Sequence, residues 1–288
     1  MINIKRVADI YSKEFCAVDV LDGVSKIRPF LLETENGCCP VMDEGDLVGV
    51  ITYKDLLLTH PNRIIADAMR GEPVTVSAEM PLWQAKELFE ETGLDVFLVE
   101  AEGRLSGILS RNRLEIQLGA HMDLLTGLYK SDYIYHHGVR LLENKQEICI
   151  VFFDINKFGV IDKTYGHTVG DIILIEVSKL LRENTPAEAF LCRFGGDEFA
   201  VLLPTHLDEG AALAYRLTEI IAQHSFIRDV KVSVSAGIVG GRRHEERADD
   251  PWETMEQLIN IASLRSTEAK KSNVTPFMAE NQCPNEIA

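Results

Sequence analysis

The sequence predicts an α/β protein in two parts. Three observations carry the prediction: a strand-turn-strand-helix pattern that occurs twice in the first part, an apolar run ending on a carboxylate in the second, and a Gly-Gly-Asp-Glu turn between two further apolar runs. At 288 residues the chain suits about two domains of ordinary size, each large enough for its own core.

Taken in order, the first pattern spans 39–52, where two apolar strands flank an acidic-glycine turn and lead to Thr52 and a helix. The segment 65–76 then leads into a helix over 81–92, and the second copy spans 96–110 and ends on Ser110. From Leu114 to Met122 the apolar spacing is helix-like and runs straight into Asp123, with no Pro/Ser-rich spacer between the parts. In the second part, strands are expected over 148–154, 190–194, 199–203 and 230–238, and helices near 131–143, 170–182, 207–224 and 254–270. The tail after Ala279 is polar and expected to be disordered.

The stretch Arg193-Phe194-Gly195-Gly196-Asp197-Glu198-Phe199 carries the most chemistry. A Gly-Gly pair between apolar runs supplies the positive φ of a tight turn and leaves room for a triphosphate near the backbone. Asp197 and Glu198 offer hard oxygen ligands of the kind that hold Mg²⁺ beside nucleotide phosphates. Upstream, the buried run from Ile148 ends on Asp154, so the hairpin and this strand end could give one cation three anionic ligands. The alternative readings are a solvated hairpin tip and an aspartate that caps the following helix. Downstream, 165–171 reads as a small-residue turn, with Asp171 in the first turn of the next helix.

Together these blocks resemble the GGDEF family of diguanylate cyclases, which condense two GTP into cyclic di-GMP. The signature runs from Asp123-Leu124-Leu125-Thr126-Gly127-Leu128, through Asp154 and 166–171, to 195–199. The resemblance implies a nucleotidyl-cyclase palm with a central, mostly antiparallel sheet wrapped by helices. It implies Mg²⁺ or Mn²⁺ held by Asp154, the Ile155 carbonyl, Asp197 and Glu198, with Asp197 or Glu198 helping to deprotonate the attacking 3′-hydroxyl. Asp171 would recognise guanine, whose N1–H and N2–H₂ a carboxylate accepts. Gly195, Gly196 and Lys270 would meet the phosphates. The family usually has Phe-Lys where this chain has Phe158-Gly159, Asn where it has Asp162, and Gly-Arg-Asn where it has Asn273-Val274-Thr275. Asp162 can still meet the exocyclic amine of guanine but leaves ring N3 without a donor. Pro186-Ala187-Glu188-Ala189 replaces the Arg-x-x-Asp motif that binds inhibitory product in many members, so that feedback loses its physical basis.

The first part resembles a tandem of CBS domains, which commonly bind adenosine nucleotides between the copies. Thr52 and Asp55 fit the ribose-binding pattern of a hydroxyl followed three residues later by an acid. Ser110 keeps the hydroxyl, while Arg113 stands where the acid is expected and Arg111 or Arg113 could meet phosphates. Asp55 as an ordinary cap and the arginines as a solvated face form the alternative. AMP, ADP and ATP all remain open as regulatory ligands.

The implied organisation is a CBS sensor over 1–118, a GGDEF domain over 119–278 and a tail over 279–288. No apolar run approaches the ~20 residues of a membrane span, and no signal-peptide core follows the N-terminus, so a cytoplasmic protein is expected. A net charge of −16 without a basic stripe argues against nucleic acid. Six cysteines without paired metal spacing read as free thiols. Since each catalytic domain would hold one GTP, a homodimer is implied. A nucleotide-regulated cyclase is the leading function; a catalytically silent GTP-binding switch and a CBS-driven interaction protein with a vestigial second domain are the alternatives.

Overall fold

The computed structural model describes residues 5–33, 36–240, 250–272 and 277–278. The tail over 279–288, Asn273-Val274-Thr275 and Cys283 lie outside the described residues. The chain divides into two compact units, Met1–Ala120 and His121–Ala288.

The first unit contains β1 (Val18–Asp19), α1 (Val24–Glu33), β2 (Cys38–Asp43), β3 (Asp46–Thr52), α2 (Tyr53–Leu58), β4 (Arg70–Gly71), β5 (Thr75–Ser77), α3 (Leu82–Thr92), β6 (Val96–Ala101), β7 (Arg104–Ser110) and α4 (Arg111–Gly119). Its sheets run β1-β2-β3-β4 and β5-β6-β7. The repeat is visible in backbone detail. Both hairpins turn on Glu-Gly pairs at positive φ, 49° and 100° at Glu44 and Gly45, 53° and 73° at Glu102 and Gly103. Positive φ at both central residues matches the right-handed twist of the flanking strands. Each hairpin also carries a bulge, at Val41/Met42 and at Val99/Glu100. Cys38 of β2 packs in one apolar cluster with Leu98 of β6 and Ile108 of β7, which joins the copies into one core.

The connection differs from expectation: α4 stops at Gly119 instead of continuing to Met122. Glycine is a poor helix former, and the chain then folds back through an antiparallel bridge between Met122 and Tyr129.

The second unit contains α5 (Ser131–Glu143), β8 (Cys149–Ile155), α6 (Phe158–Tyr165), α7 (His167–Asn184), β9 (Phe190–Gly195), β10 (Glu198–Leu203), α8 (Leu207–Gln223), β11 (Val234–Gly240), α9 (Pro251–Ser272) and β12 (Phe277–Met278). The sheet order is β12-β11-β8-β10-β9, with every pair antiparallel except β11-β12. Period-two alternation sends Cys149, Val151, Phe153 and Ile155 into the core shared with α7 and α8. Ile150, Phe152 and Asp154 therefore share the other face, where α9 packs. Gly237 permits that approach: a Cβ there would lie 2.0 Å from the Ala262 carbonyl oxygen of α9.

Two expectations need correction, and one helix, α6, is not among those expected. The last long strand begins at Val234 instead of 230, because Arg228 and Asp229 take positive φ of 54° and a 3₁₀ turn precedes it. Helix α6 has no strong periodic signal in the sequence. Helix α7 starts at His167, so Asp171 lies just beyond its first turn.

Candidate active site

The hairpin turn is built by Gly196 and Asp197, with Gly195 as the last residue of β9 and Glu198 as the first of β10. Gly196 alone of the glycine pair has positive φ, 49°. The turn is clamped by Arg193, whose Nε and Nη2 donate to the Gly196 carbonyl at 2.9 and 2.6 Å. Its Nη1 donates to Asp123 Oδ1 at 2.8 Å. Asp123 Oδ1 also accepts from the Thr126 amide and hydroxyl at 2.9 and 2.6 Å. Burial pushes the Asp123 pKa up, but the bonds from Thr126 and Arg193 outweigh it, and the carboxyl lies below its ordinary value. Two sequence blocks distant in the chain thus meet for a mechanical reason: one anchors the turn of the other.

The turn sits against the end of β8. The Ile155 amide donates to the Asp197 carbonyl at 3.2 Å, and Glu198 is the direct cross-strand partner of Asp154. The Asp197 and Glu198 carboxyls both lie above their ordinary values, chiefly through burial and then through the negative charge of Asp154. Lys270 of α9 supplies the opposing charge: its Nζ donates to Asp154 Oδ1 at 2.6 Å and to the Ile155 carbonyl at 3.3 Å. An ammonium thus bonds a carboxylate and a carbonyl that were both expected to ligate a cation. Hard oxygens of this kind suit Mg²⁺ or Mn²⁺. Among the described residues no three His, Cys, Asp or Glu side chains are grouped closely enough to hold a metal by themselves. Asp154, Asp197 and Glu198 are nevertheless neighbours, since the charge of Asp154 acts on both hairpin carboxyls.

The expected guanine residues lie on the α6-α7 pair, which turns at Gly166. Asp162 Oδ2 accepts from His167 Nδ1 at 2.8 Å in the tautomer that carries the proton on that nitrogen. Its Oδ1 is buried without a hydrogen-bond partner. A Cβ on Gly170 would lie 1.9 Å from that oxygen, so glycine is required for the two helices to close on Asp162. Asp171 is exposed on α7. Lys157, just before α6, takes left-handed backbone angles, φ 56° and ψ 28°.

In the first unit, Thr52 and Asp55 form a reciprocal capping box on α2. Asp55 Oδ2 accepts from the Thr52 amide at 2.9 Å and its hydroxyl at 2.5 Å, and Oδ1 accepts from Arg70 Nε at 2.9 Å. Ser110 caps α4 through the Arg113 amide. The Arg111 guanidinium donates to the carbonyls of Leu94 and Phe89 at the end of α3 and lies over the Phe89 ring. Arg113 Nε donates to the Ile10 carbonyl. The arginines are therefore engaged with backbone, not displayed on a solvated face, and a phosphate would have to compete with those carbonyls. Arg70 is not singled out by the sequence; it follows no motif.

Five free cysteines are described, of which Cys38, Cys39, Cys149 and Cys192 are buried. Burial pushes the Cys38, Cys39 and Cys149 thiols up to about 12, which makes them poor nucleophiles. No helix among the described residues is long and apolar enough to cross a membrane.

The family model for the diguanylate cyclase GGDEF domain matches residues 120–273, and the CBS domain model matches 7–59 and 65–114. The chain is 34% identical over 146 residues to the bifunctional diguanylate cyclase/cyclic di-GMP phosphodiesterase MucR of Pseudomonas aeruginosa, covering 46% of this chain and 21% of that protein. It is 26% identical over 229 residues to diguanylate cyclase A of Treponema denticola, covering 73% of this chain and 58% of that protein. The matches thus span about a fifth and a little over half of those relatives. Among solved structures, the coiled coil and GGDEF domain of DgcB from Caulobacter crescentus, in complex with c-di-GMP, superposes with TM-score 0.52 at 20% identity, over 59% of this chain and 91% of that one. Diguanylate cyclase SiaD of Pseudomonas aeruginosa, in complex with its activator SiaC, gives TM-score 0.52 at 21% identity, over 69% of this chain and 70% of that one. At these identities the structural likeness concerns the fold.

Proposed function

Since the chain belongs to the GGDEF diguanylate cyclase family and carries a tandem CBS pair ahead of that domain, we propose that it condenses two GTP into cyclic di-GMP under the control of an adenine nucleotide. The observation that carries the reading is the Lys270 ammonium on both Asp154 Oδ1 and the Ile155 carbonyl, with Glu198 paired across the strand. That position is already one where a cation is held beside the hairpin.

A divalent ion bound by Asp154, the Ile155 carbonyl, Asp197 and Glu198 would supply charge neutralisation for the triphosphate. The chain's own residues do the rest. Lys270, released from Asp154, turns its ammonium to the phosphates. Asp162 and Asp171 hold guanine, and Gly195 and Gly196 let the phosphates approach the turn. Asp197 and Glu198, whose pKa values are raised from their ordinary positions by burial and by the Asp154 charge, are suited to accept the 3′-hydroxyl proton as its oxygen bonds to the α-phosphorus of the second GTP. The α–β phosphoanhydride bond breaks and pyrophosphate departs. Two such transfers close the ring, so two copies must face one another and a homodimer is the working species.

For regulation, Thr52 and Asp55 would hold the ribose of AMP, ADP or ATP, with the Arg70 ion pair to Asp55 as the contact that the ligand exchanges. Arg111 and Arg113 would meet its phosphates. One observation favours the silent GTP-binding switch instead: Asp162 brings an unpartnered carboxylate oxygen to the guanine side of the site. Incubation with GTP and Mg²⁺, with and without each adenine nucleotide, followed by chromatography decides between them. Cyclic di-GMP that changes in amount with nucleotide supports the regulated cyclase; GTP binding without product supports the switch.

A further inference from the structure

In the first unit the chain crosses from one copy of the repeat to the other on a short strap. At one end Ser12 pairs with Ile108 of β7, its amide donating at 2.8 Å and its carbonyl accepting at 2.9 Å. The approach is so close that a Cβ on Gly107 would lie 2.2 Å from the Ser12 carbonyl oxygen. At the other end β1 pairs in parallel with β2, Val18 beside Val41 and Asp19 beside Met42. Residues 13–17 therefore join the sheet of the second copy to the sheet of the first.

Two residues back along the same register, Cys16 falls opposite Cys39. Packing keeps that register: Phe15 lies against the cluster of Cys38, Leu98 and Ile108, whereas Val18 shares the other cluster with Cys39 and Val41. Alternation then puts Cys16 on the face of Val18 and Cys39. Asn36 Nδ2 donates to the Glu14 carbonyl at 3.1 Å, which tethers the strap to the lead-in of β2 just before the pair. Neighbouring strands lie about 4.8 Å apart, within the roughly 4.4–6.8 Å Cα separation that a disulfide spans. The two thiols differ in access: Cys16 is exposed and Cys39 is fully buried. Burial, then the charge of the nearby Cys16, pushes the Cys39 thiol up to about 12.

We propose that Cys16 and Cys39 form a redox modification site, which closes as a reversible disulfide and locks the strap onto β2. The oxidant is a peroxide. The exposed Cys16 thiolate attacks one peroxide oxygen, the O–O bond breaks, and the departing hydroxide takes up the proton released by Cys16 and leaves as water, with Cys16 now a sulfenic acid. Cys39 then attacks the Cys16 sulfur: the S–S bond forms, the S–O bond breaks, and the hydroxide takes the Cys39 proton to leave as a second water. Two thiols lose two electrons and one peroxide gains them. Because few Cys39 thiols are ionised near neutral pH, the second step is the slow one. Cys38 does not compete, since its side chain lies on the opposite face of β2. The bridge lies one residue from Cys38, the cross-strand partner of Thr52, and so borders the strand end that leads into α2.

The test is treatment of the reduced full-length protein, kept dilute, with hydrogen peroxide, followed by proteolysis without reductant and mass spectrometry. Wild type is expected to give two peptides of one chain joined through Cys16 and Cys39, two hydrogens lighter than their sum, which dithiothreitol separates. Cys38→Ala is expected to keep the link. Cys39→Ala and Cys16→Ser are expected to lose it, and since the Cys16 thiol is exposed, Cys16→Ser keeps the test valid if the core variant fails to fold. Oxidation should also raise the unfolding transition of the wild type by about 5 °C or more and leave that of Cys16→Ser where it was. A link that survives Cys39→Ala overturns the proposal, as does wild-type Cys16 carried to the sulfinic acid with no link, or a link found only between chains on non-reducing gels. An unchanged transition in linked wild type overturns the lock.

Discussion

Replacing Arg193 by methionine removes the guanidinium that clamps the hairpin while keeping a long apolar stem. The side chain is 13% exposed and its partner Asp123 22%, so the lost bonds are largely shielded from water. Two of the three bonds share the Gly196 carbonyl, so the substitution removes the arginine from two acceptors, of which Asp123 Oδ1 keeps its bonds from Thr126. At ~1.5–3 kcal/mol for each charged bond, discounted for partial exposure, the cost is about 2–4 kcal/mol. A domain of this size loses about 2–4 °C per kcal/mol, so its transition should fall by roughly 5–15 °C. The Arg193→Lys variant keeps the charge without the fork and should recover only part of this loss. Native-state hydrogen exchange should show the hairpin amides opening with the same free-energy loss. The sign with pH is fixed by Asp123: its depressed folded pKa stabilises the fold above the ordinary carboxylate range, and that contribution disappears as pH falls through the folded value. Arg193→Met should therefore show a shallower acid limb. A variant within about 0.5 kcal/mol of wild type, with unchanged exchange at Gly196, would refute the clamp.

Further outcomes follow from other sites. Asp162→Asn removes a carboxylate whose Oδ1 is buried without a partner and restores a donor, so GTP affinity should rise by about three- to tenfold in equilibrium binding; unchanged affinity would separate Asp162 from the nucleotide. His136 is buried and its pKa is pushed down to about 4 by burial, then by the Arg140 charge. Stability is then full above the ordinary histidine value near 6.5 and falls as pH drops toward 4, by at most about 3 kcal/mol at ~1.4 kcal/mol per pKa unit; His136→Leu should flatten that limb in denaturant titrations. Asp197→Asn with Glu198→Gln should stabilise the metal-free protein near neutral pH, because raised folded pKa values cost stability once the groups ionise above the ordinary carboxylate range. Equal stability in thermal scans would contradict the electrostatic strain assigned to the pair.

Much of this arrangement is legible in the sequence because its signals are local. The repeat around Thr52 and Ser110 and the apolar run to Asp154 specify strands by alternation and composition, and both appear at nearly the expected places. The α/β class follows from them, whereas the mostly antiparallel sheet is implied by the family resemblance. What stays hidden depends on long-range contact. Helix α6 is only Phe158–Tyr165, too short for a persuasive period. Its start on a left-handed Lys157 breaks the usual capping chemistry. Arg193 reaching Asp123, and Arg70 reaching Asp55, join residues distant in the chain, and no spacing rule brings such pairs together. Lys231 lies in a segment that reads as strand, yet β11 begins only at Val234, after the 3₁₀ turn over Ile227–Asp229.

The hairpin carboxylates beside Asp154 are assigned the central role, support of phosphodiester formation between two GTP molecules. That role is tested most directly by incubating purified wild-type protein and the Asp197→Ala, Glu198→Ala double variant with GTP and Mg²⁺ and quantifying cyclic di-GMP by chromatography with mass detection. Product from the wild type and its loss from the variant are expected, with the apolar core that surrounds Phe153 and Phe199 still folded. Undiminished cyclic di-GMP from the double variant, or none from a wild-type protein that binds GTP, would contradict it.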